Sequence, residues 1–483
     1  MAEKAFTLTM GCNPDSIQAR FVADFNCNEN QNDYRPRIGL IGAGTVGRAI
    51  LNEHLKHEID VVLADANADS LDTACEVALR MFPGVNVLRV APLIREMPTA
   101  RLTFGAGKGE WHEGEVLRGG TPEAGADGSP LDNRLPCILI ESIPENLALK
   151  QSLFVDLRRD CGADVILASN TSNLRIASVF ERLNDDPRCC GLHFFMPVAD
   201  RPLVECVATP SSSPFTQDAC QAHALRIGKQ TLHVRDSPGF VVNRLLAPYL
   251  NQSLLMLEHG LDASLLASAA ASFGMPMSPL KLIDTIGIRT AFDSGRVFWQ
   301  SFPNRLDPAS ILAGMIKANR DNARDNARGS DDSVGTKTVS GFYTTNSIGG
   351  QSQSTDNSLS EQAIAVIARY QREVRAWTFE QVMQMIAIPM WIEAAEVLAA
   401  GIVSDFENIE LAMHGGLGFI QTNGFFGFFD SLGAETIIHH VQATSQPFRA
   451  LCAPAELVRC LATCSHPSQA VSRYVAMKRR RET

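Results

Sequence analysis

The sequence predicts an α/β domain built on a parallel sheet, followed by two all-α domains that repeat one another in tandem. Three observations carry this. Short apolar runs alternate with helical stretches between Arg37 and Asp236, the pattern of a parallel α/β sheet. Past Asp236 the strands thin out and helices take over. The helical half then shows one spacing twice: Pro248 stands twelve residues before Gly260, and Pro389 twelve before Gly401. Each glycine ends an apolar helix ahead of a D-x-x-G, Asp284 to Gly287 and Asp430 to Gly433.

Taken in order, residues 1–36 are polar and turn-rich and form a lead-in. The domain proper spans 37–235. Ile38 to Ile41 is a short apolar run suited to a buried parallel strand; a glycine turn, a helix and a second strand follow, and residues 67–82 read as another helix. From Pro83 to Pro136 the signal weakens into a Gly/Pro-rich excursion, read as an insertion over 92–136. Order returns with the strand CILIES, a helix from Asn146, and the strands VILASN and CCGLHFF. A first helical domain covers 236–345, with Pro238 expected near a helix start. A polar stretch from Arg320 to Ser360 contains RDNARDNAR and reads as linker, placed at 346–365. The second helical domain covers 366–483.

Composition bounds the function. The 483 residues suggest two to four domains, and 45% apolar with 20% charged residues is a globular profile. A net charge of −10 argues against nucleic acid as a partner. The apolar stretch Val382–Val403 is interrupted by Gln384, Glu393 and Glu396, so it reads as an amphipathic core helix and no membrane association is expected. The start has no basic region followed by an apolar one, so a cytoplasmic location is expected rather than secretion. Twelve cysteines without a CxxC are no disulfide framework. Cys460, Cys464 and His466 lack a second ligand pair and read as helix packing, so no metal is expected.

Gly42, Ala43, Gly44, Thr45, Val46 and Gly47 form G-x-G-x-x-G directly after a strand and at the opening of a helix. The glycines permit a tight turn, close approach to a pyrophosphate and close helix–strand packing, and the helix N-terminus supplies N–H donors. Asp65 closes the second strand, 23 residues after Gly42, where a carboxylate can accept from ribose hydroxyls. It would repel a 2′-phosphate, so the Rossmann-type site is read as one for NAD rather than NADP. A glycine turn alone would be ordinary; strand, helix and Asp65 in register are what single it out.

Four further segments, ESIPENLALK (141–150), SNTSNLRI (169–176), GLHFFMPV…PLVEC (191–206) and DSPGFVVNRLL (236–246), together resemble the L-3-hydroxyacyl-CoA dehydrogenase family. The resemblance runs from Arg37 to Gly341-Phe342-Tyr343 and resumes in the second helical region. Both helical copies look like the C-terminal part of the bacterial multifunctional fatty-acid oxidation α-subunit, and the 36 residues ahead of the Rossmann-type unit are not expected to hold that protein's hydratase/isomerase domain. The resemblance implies a catalytic set of His193, Glu205, Ser172 and Asn243. His193 would take the hydroxyl proton, Glu205 would fix its tautomer, and Ser172 and Asn243 would hold the reacting oxygen or the thioester. It also implies Glu145 and Lys150 as cofactor contacts, with Ser172 beside them. Singly, each has a bland reading: a core histidine, a surface carboxylate, a helix N-cap at Ser172 or a polar helix-interior residue at Asn243.

Two departures stand out. Met196 occupies the place after H-F-F where the family usually has Asn, and it cannot replace an amide's hydrogen bonds. The family's helical pair with Ser and Lys contacts to CoA is recast as the glycine-rich excursion, so no CoA-binding residues are carried over. The second copy has Gln384-Met385 in place of Asn243-Arg244 and is expected to be structural. Phe425, Phe426, Phe428 and Phe429 are expected to be packing rather than an acyl pocket. The function expected is NAD-dependent oxidation of (S)-3-hydroxyacyl-CoA in β-oxidation or a related route, on a CoA-thioester substrate, with a thiolase or separate hydratase as partner, by a monomer or homodimer. The alternatives are a dehydrogenase of another hydroxy acid, such as a sugar- or carnitine-type substrate, and a catalytically silent dinucleotide-binding subunit of an oxidation complex.

Overall fold

The computed structural model describes residues 38–59, 61–82, 87–90, 138–328, 341–343, 346–348, 351–353, 358–444 and 448–482. The 1–36 lead-in and the 92–136 insertion lie outside the described residues. The chain divides into two compact units, Met1–Asp236 and Ser237–Thr483.

The first unit is an eight-stranded sheet with helices. Its elements are β1 (Ile38–Ile41), α1 (Thr45–Lys56), β2 (Val61–Ala64), α2 (Ala68–Met81), β3 (Val87–Val90), β4 (Ile138–Glu141), α3 (Leu147–Cys161), β5 (Ile166–Ser169), α4 (Ile176–Val179), β6 (Cys189–Phe194), β7 (Leu203–Ala208), α5 (Pro214–Arg226) and β8 (Gln230–Arg235). The strand order is β3-β2-β1-β4-β5-β6-β7-β8. β1, β2, β4 and β5 are buried at all four positions, which is why they read as unbroken apolar runs rather than alternating ones. Helices start where a side chain can satisfy a free N–H: Asn67 accepts from Ser70 N at 3.0 Å and Asn146 from Leu149 N at 3.1 Å.

The sheet departs from the all-parallel expectation at one place. β6 and β7 pair antiparallel, while β7 and β8 run parallel to each other. β8 carries the weaker strand signal of the two: it sits at the sheet edge and buries only two of six positions, Leu232 and Val234. The order reverses between β1 and β4, and in open α/β sheets such a switch point opens a crevice at the strands' carboxyl ends.

The second unit contains α6 (Val242–Glu258), α7 (Ala263–Phe273), α8 (Pro279–Ile286), α9 (Ile288–Ser301), α10 (Ile311–Arg328), the short pair β9 (Asn346–Ile348) and β10 (Gln351–Gln353), α11 (Glu361–Arg369), α12 (Phe379–Ala399), α13 (Phe406–Leu411), α14 (Gly424–Leu432), α15 (Ala434–Thr444), α16 (Ala455–Leu461) and α17 (Pro467–Glu482). Helices α6 and α12 pack on one another at its centre.

Three readings are corrected. RDNARDNAR is not linker but the end of α10; its Arg and Ala are good helix formers, and polarity alone does not unwind a helix. The expected domain start at 366 falls inside α11, which packs on α10 and α6; a Cβ on Gly314 of α10 would lie 2.4 Å from the Tyr370 ring. Pro238 opens a turn, and α6 begins four residues later at Val242. The α12 stretch is also less amphipathic than its charges suggest. It is long and apolar enough to cross a membrane, but 89% of that window is buried inside the fold. Glu393 is buried with it because Arg244 pairs with it at 2.5 Å and Arg305 at 3.2 Å. The phenylalanines of α14 pack as expected: Phe425 and Phe429 are fully buried, edge-on to each other at 5.1 Å.

Candidate active site

The glycine loop between β1 and α1 is built for close approach. Gly42 has φ +112°, and a Cβ there would meet the Ser142 carbonyl oxygen at 2.4 Å. A Cβ on Gly47 would meet the Gly42 carbonyl oxygen at 1.8 Å, so α1 can lie on the loop only with glycine at this position. Gly44 differs: a Cβ there would meet nothing within 4 Å. That open side faces the α1 N-terminus, where Gly44 caps without a side-chain hydrogen bond and the first turn holds no acidic residue. Free N–H groups and an open approach are what a pyrophosphate requires. Asp65, just past β2, accepts from Ala43 N at 2.5 Å and Asn67 N at 2.6 Å. It braces the glycine loop and keeps a lone pair on each oxygen for ribose hydroxyls.

At the carboxyl end of β4 lies a network that the sequence did not disclose. Glu141 is fully buried and accepts from Lys150 Nζ at 2.5 Å, Ser169 Oγ at 2.6 Å and Ile143 N at 2.7 Å. Lys150, expected as a cofactor contact, is only 1% exposed. Its ammonium donates to Glu141 and to the Ile143 carbonyl at 3.2 Å and pairs with Glu145 at 3.4 Å, and so ties α3 to the loop after β4. Glu145 accepts from Thr171 Oγ1 at 2.5 Å and Asn173 N at 3.1 Å, and so fixes the turn on both sides of half-buried Ser172. Asn170 ties the next strand in, accepting from Phe194 N at 2.8 Å. Asp236 accepts from Ile176 N and Ala177 N at the start of α4, an anchor the DSPGF motif did not reveal.

His193 and Glu205 are register partners across the antiparallel β6–β7 pair. His193 Nδ1 lies 2.8 Å from Glu205 Oε2, with the histidine side chain 7% exposed and the glutamate fully buried. A carboxylate buried this way accepts the Nδ1 proton, which leaves the Nε2 lone pair to act as base. Phe195 packs edge-on against the imidazole at 4.7 Å. Met196, at the family's Asn position, is 38% exposed. Asn243 lies in the first turn of α6, in the helical unit, half-buried at the edge of a cavity.

Among the described residues, the thiols that gather are Cys190, Cys206 and Cys220, all buried and within 4.8 Å of one another. They come from β6, β7 and α5, so no local spacing announces them. Cys460, Cys464 and His466 form no such group among the described residues.

Fold and site together define an NAD-binding oxidoreductase. Residues 136–237 match the family model of the 3-hydroxyacyl-CoA dehydrogenase NAD binding domain, and residues 239–345 that of the 3-hydroxyacyl-CoA dehydrogenase C-terminal domain. The two matches together cover 136–345 almost without a break, and the glycine loop lies ahead of the matched segment. The fold is also similar to that of 3-hydroxybutyryl-CoA dehydrogenase from Escherichia coli K12, at 20% identity and a TM-score of 0.61, covering 89% of this chain and 98% of that one. The dehydrogenase part of multifunctional enzyme 1 from C. elegans matches at 21% identity and a TM-score of 0.53, covering 93% and 96%. Residues up to 345 alone could not supply such coverage, so the likeness of fold extends into the second helical region.

Proposed function

We propose that the protein catalyses NAD-dependent oxidation of (S)-3-hydroxyacyl-CoA to 3-ketoacyl-CoA, as in β-oxidation or a related acyl-CoA route. The observation that carries this is the His193–Glu205 pair at 2.8 Å, at the end of a sheet whose glycine loop fits a dinucleotide. NAD, when bound, accepts the hydride from the carbinol carbon. His193 Nε2 takes the hydroxyl proton, and Glu205 holds the Nδ1 proton and offsets the charge of the imidazolium. Ser172, in a turn fixed by Glu145, and Asn243 hold the oxygen and thioester of the substrate. The likeness of the family's CoA-linked members supports a thioester substrate, with a thiolase or separate hydratase as partner.

In this reading the second helical region is a non-catalytic tandem copy. Its support is the helix order: among the described residues α6–α11 and α12–α17 are six helices each, both opening on a long helix with an internal proline, Pro248 and Pro389. Gln384, at the position of Asn243, donates to Glu380 of its own helix at 3.1 Å. The α6–α12 packing would then stand in for pairing between chains and favour a monomer.

The test is loss of NADH absorbance with acetoacetyl-CoA. His193→Ala is expected to lower kcat by about 10³-fold and Gln384→Ala to leave it within about twofold. NADH binding without turnover on any 3-ketoacyl-CoA would overturn the reading in favour of a silent dinucleotide binder, the reading that Met196 favours.

A further inference from the structure

Cys190 of β6, Cys206 of β7 and Cys220 of α5 are fully buried, and their sulfurs all lie within 4.8 Å of one another. Strand geometry accounts for the meeting. Cys206 is the register partner of Leu192 across the antiparallel pair, and Cys190, two residues before Leu192, shares its face of the sheet. Helix α5 packs across β6, β7 and β8 and brings Cys220 onto that face, with the Cys190 and Cys220 Sγ atoms 3.5 Å apart. His193 and Glu205 point to the other face of the same strands, so their pairing makes no use of the thiols. Packing alone does not ask for sulfur at all three positions. The surrounding core is aliphatic, with Leu192, Val204 and Ala219 in the same cluster, and cysteine differs from such residues in its chemistry more than in its packing.

A fourth donor stands beside the three. His233 of β8 is the parallel register partner of Cys206, and the two side chains share a hydrogen bond. Its Nε2 lies 3.4 Å from Oε1 of Gln221, the residue after Cys220. With Nε2–H donating to that amide oxygen, Nδ1 keeps its lone pair; an outer oxygen commonly fixes the tautomer of a ligating histidine in this way. His233 lies next to the thiol group rather than within its 4.8 Å span. It is half-buried on the edge strand, so a turn about its Cα–Cβ bond can complete the group, and the same edge is the way in from solvent.

We propose that Cys190, Cys206, Cys220 and His233 form a zinc site that clamps β6, β7, β8 and α5 together behind the His193–Glu205 pair. Three thiolates and one imidazole are a set that zinc takes in closed structural sites. Sulfurs at roughly 2.3 Å from a tetrahedral ion stand about 3.8 Å apart, close to the spacing of Cys190 and Cys220. Binding releases the three thiol protons and engages the imidazole through its free nitrogen. Four protein ligands leave the ion no open position. It therefore holds the strand register that sets His193 against Glu205 and takes no part in the chemistry on the opposite face.

The experiment measures the metal content of the full chain, expressed with zinc in the medium and purified without a polyhistidine tag or chelator. The parent is expected to carry about one zinc per chain, and Cys220→Ser less than about a tenth of that. Growth on cobalt in place of zinc should give the near-ultraviolet bands of thiolate-to-cobalt charge transfer and the strong visible bands of a tetrahedral ion, both lost in Cys220→Ser. His233→Gln and Gln221→Ala change a half-buried and an exposed side chain, so a folding defect in the cysteine variant does not decide the matter. Each should weaken zinc by about tenfold or more in competition with a chelating dye. A parent without zinc, zinc retained in Cys220→Ser, or a Cys190–Cys220 disulfide in the purified chain overturns the proposal. Undiminished zinc affinity in His233→Gln overturns it as well.

Discussion

The two halves of the helical unit, α6–α11 and α12–α17, keep the same joints and differ in what they do with them. Each has a left-handed glycine after its long helix, Gly260 at φ +80° and Gly401 at φ +62°, and a second at the helix–helix corner, Gly287 at φ +92° and Gly433 at φ +85°. Each has an aspartate just before that corner pinning a later segment. Asp284 accepts from Phe342 N at 2.7 Å and Tyr343 N at 3.0 Å, and Asp430 accepts from Ser468 N at 2.8 Å and Ser468 Oγ at 2.6 Å. The positions that diverge are Asn243 against Gln384, Arg244 against Met385, and the cavity lining. Residues that close a turn or satisfy buried N–H groups have few substitutes, whereas a polar group without a ligand to hold has no packing reason to persist. In the proposed reading, the scaffold is held twice and the chemistry once.

The largest effect expected lies where the halves meet. Arg244 of the first half and Glu393 of the second are 2% and 3% exposed and paired at 2.5 Å. Glu393→Ala leaves Arg244 buried without its carboxylate, a change that typically costs about 3–5 kcal/mol. Urea unfolding followed by circular dichroism should show one transition moved to lower urea. Two separated transitions would mean that the halves fold independently and that the pair joins finished domains.

Next comes activity. Asn243→Ala should lower kcat by about 10²-fold, the loss typical for one donor at a reacting oxygen, while Gln384→Ala leaves it unchanged. Equal losses in steady-state assays would break the asymmetry of the two halves. Asp284→Ala and Asp430→Ala should each cost about 1–3 kcal/mol, because each strands donors that now have a carboxylate. Matching shifts in thermal unfolding would sharpen the equivalence of the two corners; an effect confined to one would break it.

Sequence reading reached the glycine loop and Asp65 because each belongs to a short segment with a strong local constraint, and it reached the His193–Glu205 pair through the family resemblance. It gave no sign that Lys150 is held by Glu141 and the Ile143 carbonyl of its own chain. Glu141 escaped because its partners, Lys150 and Ser169, come from a helix and another strand. The edge strand β8, half-exposed, lacked the apolar run that marked β1, β2, β4 and β5. RDNARDNAR failed the opposite way: its composition looked like linker although its residues suit a helix. The Cys190, Cys206 and Cys220 cluster and the cavity are tertiary, and no spacing in the chain encodes them.

The smallest effect expected is one of pH. By the spacing from Gly287 and Gly433, His440 of the second half stands where Ser294 of the first lines the cavity. Burial, with His439 beside it, lowers the His440 pKa from 6.5 to about 4. The folded state thus prefers neutral imidazole, and between these values the unfolded chain binds the extra proton. The contribution of His440 to stability is therefore fully present above about pH 6.5 and is lost as pH falls toward 4. His54 in the sheet unit is likewise lowered to about 4 by burial and titrates in the same window, so the slope of the parent alone does not isolate either residue. His440→Ser, which installs the first half's residue, should flatten the stability profile between pH 6.5 and 4 relative to the parent and leave the profile above pH 7 parallel to it. An unchanged slope in urea unfolding across that range would mean that His440 is reached by water in the native state. The second half would then keep an opening at the position where the first half keeps its cavity.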